Sequence, residues 1–321
     1  MEQSLKSALR VSESYNPSAN SVLFHGDCLT LLDEIPNESV QLVVTSPPYN
    51  IGKEYEGNLG FNDYIIKQKE VIDKCIQKLT PTGSICWQVG NYVHNGSIIP
   101  LDIKLYPIFE ELGLKLRNRI IWHFGHGLHA SKRFSGRYEV ILWFTKSDQY
   151  VFNLDAIRVP QKYPGKKHFK GAKQGELSCN PLGKNPSDIW DIPNVKSNHV
   201  EKTIHPCQFP VELIERLVLS LTNPEDWVLD PFMGVGSTAI AALMHGRKAI
   251  GAEIKGDYIE VARARIREAE RGLLRIRPMD RPVYDPNEKA PATPPSVVSI
   301  GKNSQLDLLA NTAFDLETES A

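Results

Sequence analysis

The stretch "VLDPFMGVGSTAIAA", residues 228–242, decides the fold class. A short apolar run ends at Asp230, a turn follows with Gly234 and Gly236, and small and apolar residues continue at helical spacing from Ser237. Glycine lacks a Cβ, so a glycine turn lets the main chain approach a ligand closely. We predict a strand, a tight turn and a helix, with a ligand held at the turn. A GxG pair by itself fits a structural turn as well as a dinucleotide site.

Predicted strands alternate with predicted helices through most of the chain. Residues 21–25 and the run from Val40 are predicted strands on either side of a short helix. Further predicted strands cover residues 84–90, 119–124, 138–146, 226–230 and 248–254. Predicted helices cover residues 63–83, 101–113, 210–222, 237–246 and 258–274, and the Gly- and Asn-rich residues 51–62 predict a mobile loop. This alternation predicts an α/β fold with a Rossmann-like, mostly parallel sheet and helices on both faces.

Polar residues around the glycine turn indicate its ligand. Glu253 ends the next predicted strand, where an acid suits the two hydroxyls of a ribose. Ser237 and Thr238 begin the helix, where free amides and hydroxyls favour a carboxylate or a phosphate. Ala239 replaces the third glycine of the dinucleotide fingerprint, and Asp230 would repel a pyrophosphate but could accept from an ammonium. A ligand with a ribose, an ammonium and a carboxylate but no phosphate is S-adenosylmethionine, and the rival at this point is an NAD site.

A second unusual motif, "TSPPYN" at residues 45–50, follows the predicted strand from Val40. Its two prolines fix φ and lack amide donors, so the strand cannot continue through them. A plain turn would explain the prolines alone. Both motifs follow predicted strands, and ligands of parallel sheets bind beyond the carboxyl ends of the strands.

The two motifs together resemble those of the amino-group DNA methyltransferases, which modify cytosine N4 or adenine N6. The catalytic motif precedes the cofactor motif, an order that resembles the β class, and "HGDCL" (25–29) and "IHPCQFP" (204–210) resemble two further cofactor segments of that family. The resemblance implies S-adenosylmethionine as the cofactor and double-stranded DNA as the substrate. The cofactor-binding residues that it implies are Asp27, Cys28, His205, Asp230, Phe232, Gly234, Gly236, Ser237, Thr238 and Glu253. Serine at 237 departs from the commoner threonine and leaves open which of the two adjacent hydroxyls contacts the ligand.

The chemistry of the reaction explains the stiff polar corner at Ser46, Pro47, Pro48 and Tyr49, which we predict to be catalytic. An exocyclic amine is a poor nucleophile, and positive charge grows on its nitrogen during methyl transfer, so the site needs acceptors aimed at the amine hydrogens. The Ser46 hydroxyl and the Pro47 carbonyl supply two acceptors, and Tyr49 offers a flat face for a base extruded from the duplex. We expect no strong general base near the motif, and we interpret Glu139 as structural.

The first position of the catalytic motif favours cytosine N4 as the target. In the family that this chain resembles, serine there is typical of cytosine enzymes and aspartate of adenine enzymes. The following "YNIGKEY" (49–55) is also common around adenine sites, so adenine N6 remains the alternative.

Charge is distributed unevenly, although the formal net charge is −1. Residues 115–137 carry six Lys or Arg and no acid, and residues 158–184 carry seven against Glu176 alone. Such basic stretches suit DNA phosphates, and the loop-rich residues 157–202 are the candidate target-recognition region. The predicted DNA-binding residues are Lys53, Lys132, Arg133, Arg137, Lys166, Lys167, Lys170 and Lys173. We predict a methyltransferase domain over 21–278 and an acidic, Pro-rich, poorly ordered tail over 279–321.

Composition sets the remaining expectations. Five scattered cysteines without a CxxC pair argue against disulfides and against a metal site, and no apolar run is long enough for a signal peptide or membrane span, so we expect a cytoplasmic protein. A restriction endonuclease acting separately is a further candidate partner, and both a monomer and a homodimer remain open. The rival functions are an NAD-dependent oxidoreductase, which leaves the SPPY motif unexplained, and a DNA-binding module without activity, which the intact motifs oppose.

Overall fold

The fold was described from a computed structural model that covers residues 9–49, 60–125, 127, 129–282 and 296–298. The predicted loop at 51–62 lies mainly outside these residues, and so does most of the predicted tail. The helices are α1 Cys28–Glu34, α2 Phe61–Lys78, α3 Leu101–Glu111, α4 Val211–Leu221, α5 Ser237–Met244 and α6 Gly256–Glu270, with a 3-10 helix at Leu154–Ile157. None of the helices in these ranges has the length and apolar character needed to span a membrane.

Strands account for most of the remaining regular structure. They are β1 Val11–Ser12, β2 Ser21–His25, β3 Val40–Thr45, β4 Leu79–Val89, β5 Asn91–His94, β6 Ser97–Pro100, β7 Lys115–His123, β8 Tyr138–Thr145, β9 Ile189–Asp191, β10 Trp227–Asp230, β11 Lys248–Glu253, β12 Leu274–Ile276 and β13 Ser296–Val298. In the described chain, nine of them form one sheet in the order β1-β2-β11-β10-β3-β4-β8-β7-β9. Within this sheet β8 runs antiparallel to β4 and β7, and the other pairs are parallel.

Two hydrophobic cores cover the faces of the sheet, which confirms the predicted fold class. Side chains of α4, α5 and α6 pack on one face, and side chains of α1, α2 and α3 pack on the other. Every residue of β3 and of β10 is buried, as expected for strands covered on both sides. This double covering explains why these strands appear in the sequence as continuous apolar runs instead of alternating ones.

Several elements differ from the predictions. The hairpin β5–β6 was not predicted, because its strands are only four residues long and their apolar residues do not alternate with polar ones, and β7 begins at Lys115 and not at residue 119. The short strand β9 lies inside the region predicted to be loop-rich and pairs with β7. Before residue 21, β1 pairs with β2, and within the predicted tail β13 pairs with β12, so regular structure extends past both predicted limits of the domain.

Candidate active site

The two sequence motifs meet at adjacent strand ends. Strand β10 pairs with β3, with Leu229 opposite Val43, so the chain leaves both strands at the same edge of the sheet. The Thr45 hydroxyl donates to Asp230 Oδ1 across this boundary, over 2.5 Å. A cavity of about 510 Å³ opens above it, and its wall includes both the predicted catalytic loop, residues 46–49, and the glycine turn. A cavity of this size suits a cofactor and part of a substrate.

The glycine turn forms one wall of the cavity. Gly234 and Gly236 adopt positive φ angles of 54° and 77°, which side chains with a Cβ rarely tolerate. A Cβ on Gly234 would lie 3.3 Å from His205 Nε2, which leaves little room for a side chain. Gly236 lies behind the wall, where a Cβ would approach the Cβ of Ala262 on α6 to 3.0 Å. The first glycine therefore faces the cavity, and the second allows the turn to pack against α6.

Asp230 lies beneath the turn and not on the cavity wall. Its carboxylate accepts from the hydroxyls of Thr45 and Thr238 and from the amide of Phe232. Burial raises the pKa of Asp230 to about 6. The expected contact between Asp230 and a ligand ammonium is therefore not supported by its position, because the residue is 1% exposed and its carboxylate organises the turn.

The two adjacent hydroxyls at the start of α5 have different positions. Thr238 donates to Asp230 Oδ2 over 2.6 Å and is buried beneath the turn. Ser237 lines the cavity, and its hydroxyl also accepts from the buried guanidinium of Arg265. Of the two hydroxyls that the sequence left open, that of Ser237 is therefore the one on the cavity wall.

Two acids stand on the wall at the ends of neighbouring strands. Glu253 Oε2 accepts from the Gly234 amide over 3.0 Å, Oε1 accepts from the Lys255 amide over 2.8 Å, and burial raises the pKa of Glu253. Asp27 follows β2 and caps α1, because its Oδ1 accepts from the Leu29 amide. Asp27 therefore caps the helix and also lines the cavity. Glu253 is partly exposed, and it both accepts from the turn amide and lines the cavity.

Ring and thiol groups complete this part of the wall. Phe232 meets the indole of Trp87 edge-on, with ring centroids 6.3 Å apart, and His205 packs on Tyr258 at 4.6 Å. Burial and the nearby Lys202 and Lys255 lower the pKa of His205 to about 4, so its ring is neutral at pH 7. Cys28 also lines the cavity, and burial raises the pKa of its thiol to about 12.

The predicted catalytic loop also lines the cavity, and all four of its residues are on the wall. The Ser46 hydroxyl is 3.1 Å from the phenol oxygen of Tyr49, and Tyr49 donates to Glu139 Oε2 over 3.3 Å. Gln88 Nε2 donates to the same carboxylate oxygen. Burial raises the pKa of Glu139 to about 7 and the pKa of Tyr49 well above its usual value.

Comparison with known proteins gives the family. A family model described as "DNA methylase" matches residues 40–264, which include both motifs. The chain belongs to the N6/N4 DNA methylase family.

Relatives of the methylase agree with this assignment. The Type II methyltransferase M.BglII of Bacillus subtilis is 55% identical over 75% of this chain and 67% of its own length. The DNA adenine methyltransferase YhdJ of Escherichia coli K12 is 35% identical over 76% of this chain and 82% of its own length.

Solved structures give the fold and the cofactor. The cytosine-N4-specific PvuII DNA methyltransferase shares the fold, with a TM-score of 0.62 and 24% identity over 76% of this chain and 86% of that chain. TTHA0409 of Thermus thermophilus, solved in complex with S-adenosyl-L-methionine, gives a TM-score of 0.54 and 29% identity over 76% of this chain and 91% of that chain. The methylase uses S-adenosyl-L-methionine, and seven of the ten predicted cofactor residues line its cavity.

Within the described part of the chain, the predicted DNA-binding residues of the methylase are not on the cavity wall. Lys132 and Arg133 are exposed in the loop between β7 and β8, and Arg137 is partly buried at the end of that loop. Phe124, at the start of the same loop, lines the cavity, so the basic loop begins at the cavity wall. The remaining predicted lysines of the recognition region are exposed, at 166, 167, 170 and 173, and Lys53 lies outside the described residues.

Sequence reasoning missed several residues on the wall of the methylase. Glu139 and Gln88 belong to β8 and β4, which pair in an antiparallel register that no local pattern reveals. Trp122 of β7 is buried and also lines the cavity. Glu139, interpreted from the sequence as structural, has a carboxylate that contacts Tyr49, one of the residues predicted to be catalytic.

Proposed function

We propose that this methylase transfers a methyl group to the exocyclic amine of a flipped base at specific DNA sites, and that its target is cytosine N4. The observation that carries the proposal is the shared cavity, whose wall includes both Ser46 and the glycine turn. S-adenosylmethionine supplies the methyl group on a sulfonium. The chain's own residues hold this donor, extract the base from the stack and accept hydrogen bonds from its amine.

The residues that line the cavity divide into two groups in this proposal. Glu253 would accept from the ribose hydroxyls and Asp27 from the adenine of the cofactor, with Phe232 packed beside the adenosine. The neutral His205 and the Ser237 hydroxyl would adjoin the methionine end. On the other side, the Ser46 hydroxyl and the Pro47 carbonyl would accept from the target amine while Tyr49 stacks on the base, with Pro48 fixing the loop.

The preference for cytosine rests on the neutral side chain at position 46. A hydroxyl accepts a hydrogen bond without placing a charge beside the base, whereas the aspartate typical of adenine enzymes in the resembled family is charged. The alternative is adenine N6, and the 35% identity to an adenine methyltransferase favours it. Both targets fit the same chemistry, because both are exocyclic amines.

The test is to identify the methylated base. Purified protein is incubated with labelled S-adenosylmethionine and unmethylated bacterial DNA, and the nucleosides are separated and counted. We expect label in N4-methylcytosine from the wild type and a loss of about 100- to 1,000-fold in rate from Ser46→Ala. Ser14→Ala, an exposed site in the N-terminal segment, is the matched control. Label in N6-methyladenine alone would overturn the cytosine assignment.

We further propose that the exposed lysines of residues 157–202 and the β7–β8 loop hold the DNA, and that the enzyme modifies DNA in a restriction-modification or orphan system. Relatives named Type II methyltransferases support the first of these settings. Sequencing modified bases in DNA from cells that express the protein would give the recognition site and test whether the label is site-specific.

A further inference from the structure

A line of four polar side chains runs from the catalytic loop into the sheet. Ser46 contacts Tyr49, Tyr49 contacts Glu139, and Gln88 contacts the same oxygen of Glu139. All four residues line the cavity. Glu139 is the second residue of β8 and lies opposite Trp122 of β7, so its main chain is held in the sheet.

When Glu139 is ionised, the number of hydrogens in this line sets the direction of each hydrogen bond. An ionised carboxylate only accepts, so Glu139 receives the phenol hydrogen of Tyr49 and an amide hydrogen of Gln88. A phenol has one hydrogen, and in this arrangement it is used at Glu139. At the contact between Ser46 and Tyr49, the serine hydroxyl must then donate, which leaves the lone pairs of its oxygen available to the target amine.

We propose that Glu139 is a positioning residue, which orients the Ser46 hydroxyl through Tyr49 and receives the proton that the methylated amine must lose. The proposal deepens the proposed function and rests on it in one respect, namely that Ser46 faces the amine. It applies equally to cytosine N4 and adenine N6, because either amine bears two hydrogens.

The proton balance of the reaction requires such an acceptor. The amine nitrogen forms a bond to the methyl carbon, and the bond from that carbon to sulfur breaks with its electron pair remaining on sulfur. The nitrogen then carries two hydrogens, a methyl group and a positive charge, and must release one proton. That proton passes to the Ser46 oxygen while the serine hydrogen moves to Tyr49 and the phenol hydrogen moves to Glu139, which becomes a neutral carboxylic acid. The acid returns its proton to water after the products leave.

The surroundings of Glu139 suit this role. Burial raises its pKa to about 7, so the group is a better proton acceptor than an ordinary carboxylate and is still partly ionised at neutral pH. Among the described residues, Tyr49 from the catalytic loop is the titratable group in contact with it, and Tyr64 of α2 raises the pKa of Tyr49. Arg137 lies two residues earlier on the chain. The remaining titratable groups that line the cavity are Asp27, Cys28, His205, Cys207, Glu253 and Tyr258.

The ionisation of Glu139 predicts how the rate of methyl transfer changes with pH. Below pH of about 7, Glu139 is protonated and no longer requires the phenol hydrogen, so Ser46 is not held as an acceptor and methyl transfer slows. The rate of the chemical step should rise with pH up to about 7 and then level off.

The experiment measures single-turnover methyl transfer with excess enzyme and saturating S-adenosylmethionine from pH 5.5 to 9. The variants are Glu139→Gln, which keeps an oxygen acceptor but cannot take the proton, and Tyr49→Phe, which breaks the line at another link. Glu260→Gln, on an exposed side chain of α6, is the matched control. We expect Glu139→Gln to be slower by about 100-fold or more and to lose the rise between pH 5.5 and 7, with cofactor affinity unchanged.

A second measurement is independent of activity. An infrared difference spectrum of the protein without cofactor, between pH 5.5 and 8.5, should show a protonated carboxyl signal near pH 7 that loses one component in Glu139→Gln. Glu212 and Asp230, whose pKa values burial also raises, provide signals that remain.

The outcomes separate the two proposals. A Glu139→Gln enzyme with the pH profile of the wild type overturns the role of Glu139, whatever its rate. If that variant fails to fold, Tyr49→Phe decides, and a wild-type profile for it overturns the relay. Label in N6-methyladenine overturns only the cytosine assignment, because the pH profile is measured on whichever amine is methylated.

Discussion

At the residue scale, the glycine turn depends on one buried carboxylate. Asp230 accepts from a strand hydroxyl, a helix hydroxyl and the turn amide, and so ties β3, α5 and the turn together. Burial raises its pKa to about 6, so the charged form is maintained by these donors at neutral pH. Removing a donor should cost more than a surface hydrogen bond would.

The neighbouring hydroxyls of Ser237 and Thr238 can be tested for separate roles, one in the cavity and one in the fold. We expect Thr238→Val, which keeps the side-chain volume, to lower the free energy of unfolding by about 1–3 kcal/mol, because a buried carboxylate loses a partner. Ser237→Ala should instead weaken cofactor binding, since Ser237 lines the cavity. Urea unfolding and calorimetric titration with S-adenosylmethionine measure the two effects. Equal effects of both variants on binding would contradict the assignment.

Glu253 allows a prediction about cofactor affinity. Its carboxylate accepts from the Gly234 amide and is proposed to accept from the ribose, so Glu253→Ala should weaken S-adenosylmethionine binding about 10- to 100-fold. Isothermal titration measures this, and Glu260→Ala on the exposed side of α6 should bind as the wild type does. An unchanged affinity in Glu253→Ala would remove the residue from the cofactor site.

At the element scale, the loop between β7 and β8 combines charge with an exposed ring. Phe134 is 100% exposed and stands beside Lys132 and Arg133. A fully exposed phenylalanine next to cations fits a surface that meets DNA, where cations neutralise phosphates and rings stack on bases. The loop begins at Phe124 on the cavity wall, so it is well placed to act beside an extruded base.

The salt dependence of DNA binding distinguishes phosphate contacts from the stacking of rings on bases. Arg133→Ala should weaken DNA binding and reduce the slope of log affinity against log salt by about 1, because one phosphate contact is lost. Phe134→Ala should weaken binding by about 1–3 kcal/mol with the slope unchanged, because stacking releases no counterions. Binding is followed by fluorescence anisotropy at several salt concentrations. Lys67→Ala, an exposed residue of α2, is the control, and an equal loss of slope in that variant would mean that the effect is not local.

Elements buried on both faces were predicted well, and elements defined by distant partners were not. The strands β3 and β10 and the helices α4 and α5 are each marked by their own apolar pattern and by a turn that ends them. The strands of the hairpin β5–β6 and the strand β9 are too short to show a periodicity of their own, and β9 exists through pairing with the distant β7. Local sequence carries little information on such pairing.

Some residues of the candidate site were likewise predicted from local sequence, and others were not. The loop from Ser46 to Tyr49 and the cavity-facing residues of the glycine turn were identified because unusual residues interrupt a strand, and the family and cofactor that they indicated are confirmed. Glu139 was missed because its significance arises from a register between β4 and β8. Asp230 was given a ligand contact because its position in the motif does not reveal that its carboxylate points beneath the turn.

At the scale of the whole molecule, cofactor binding should stabilise the fold as one unit, because the cavity wall includes residues from both ends of the described chain. At 100 times its dissociation constant, S-adenosylmethionine should add about 2.7 kcal/mol to the free energy of unfolding. Thermal unfolding followed by fluorescence tests this, with NAD at the same concentration as the control ligand. Stabilisation by NAD and not by S-adenosylmethionine would contradict the cofactor-site geometry described above.

The order of the strands has a consequence for synthesis on the ribosome. Strands β2 and β3 follow each other along the chain but do not pair, because β11 and β10 lie between them in the sheet. A nascent chain that has emerged only as far as β9 therefore holds a sheet with a gap at its centre and bare edges on both sides of that gap. Such edges readily pair with other chains. A message truncated before β10 should yield an aggregating product and not a partial enzyme, so the methylase reaches its protected form only when the last third of the chain is made.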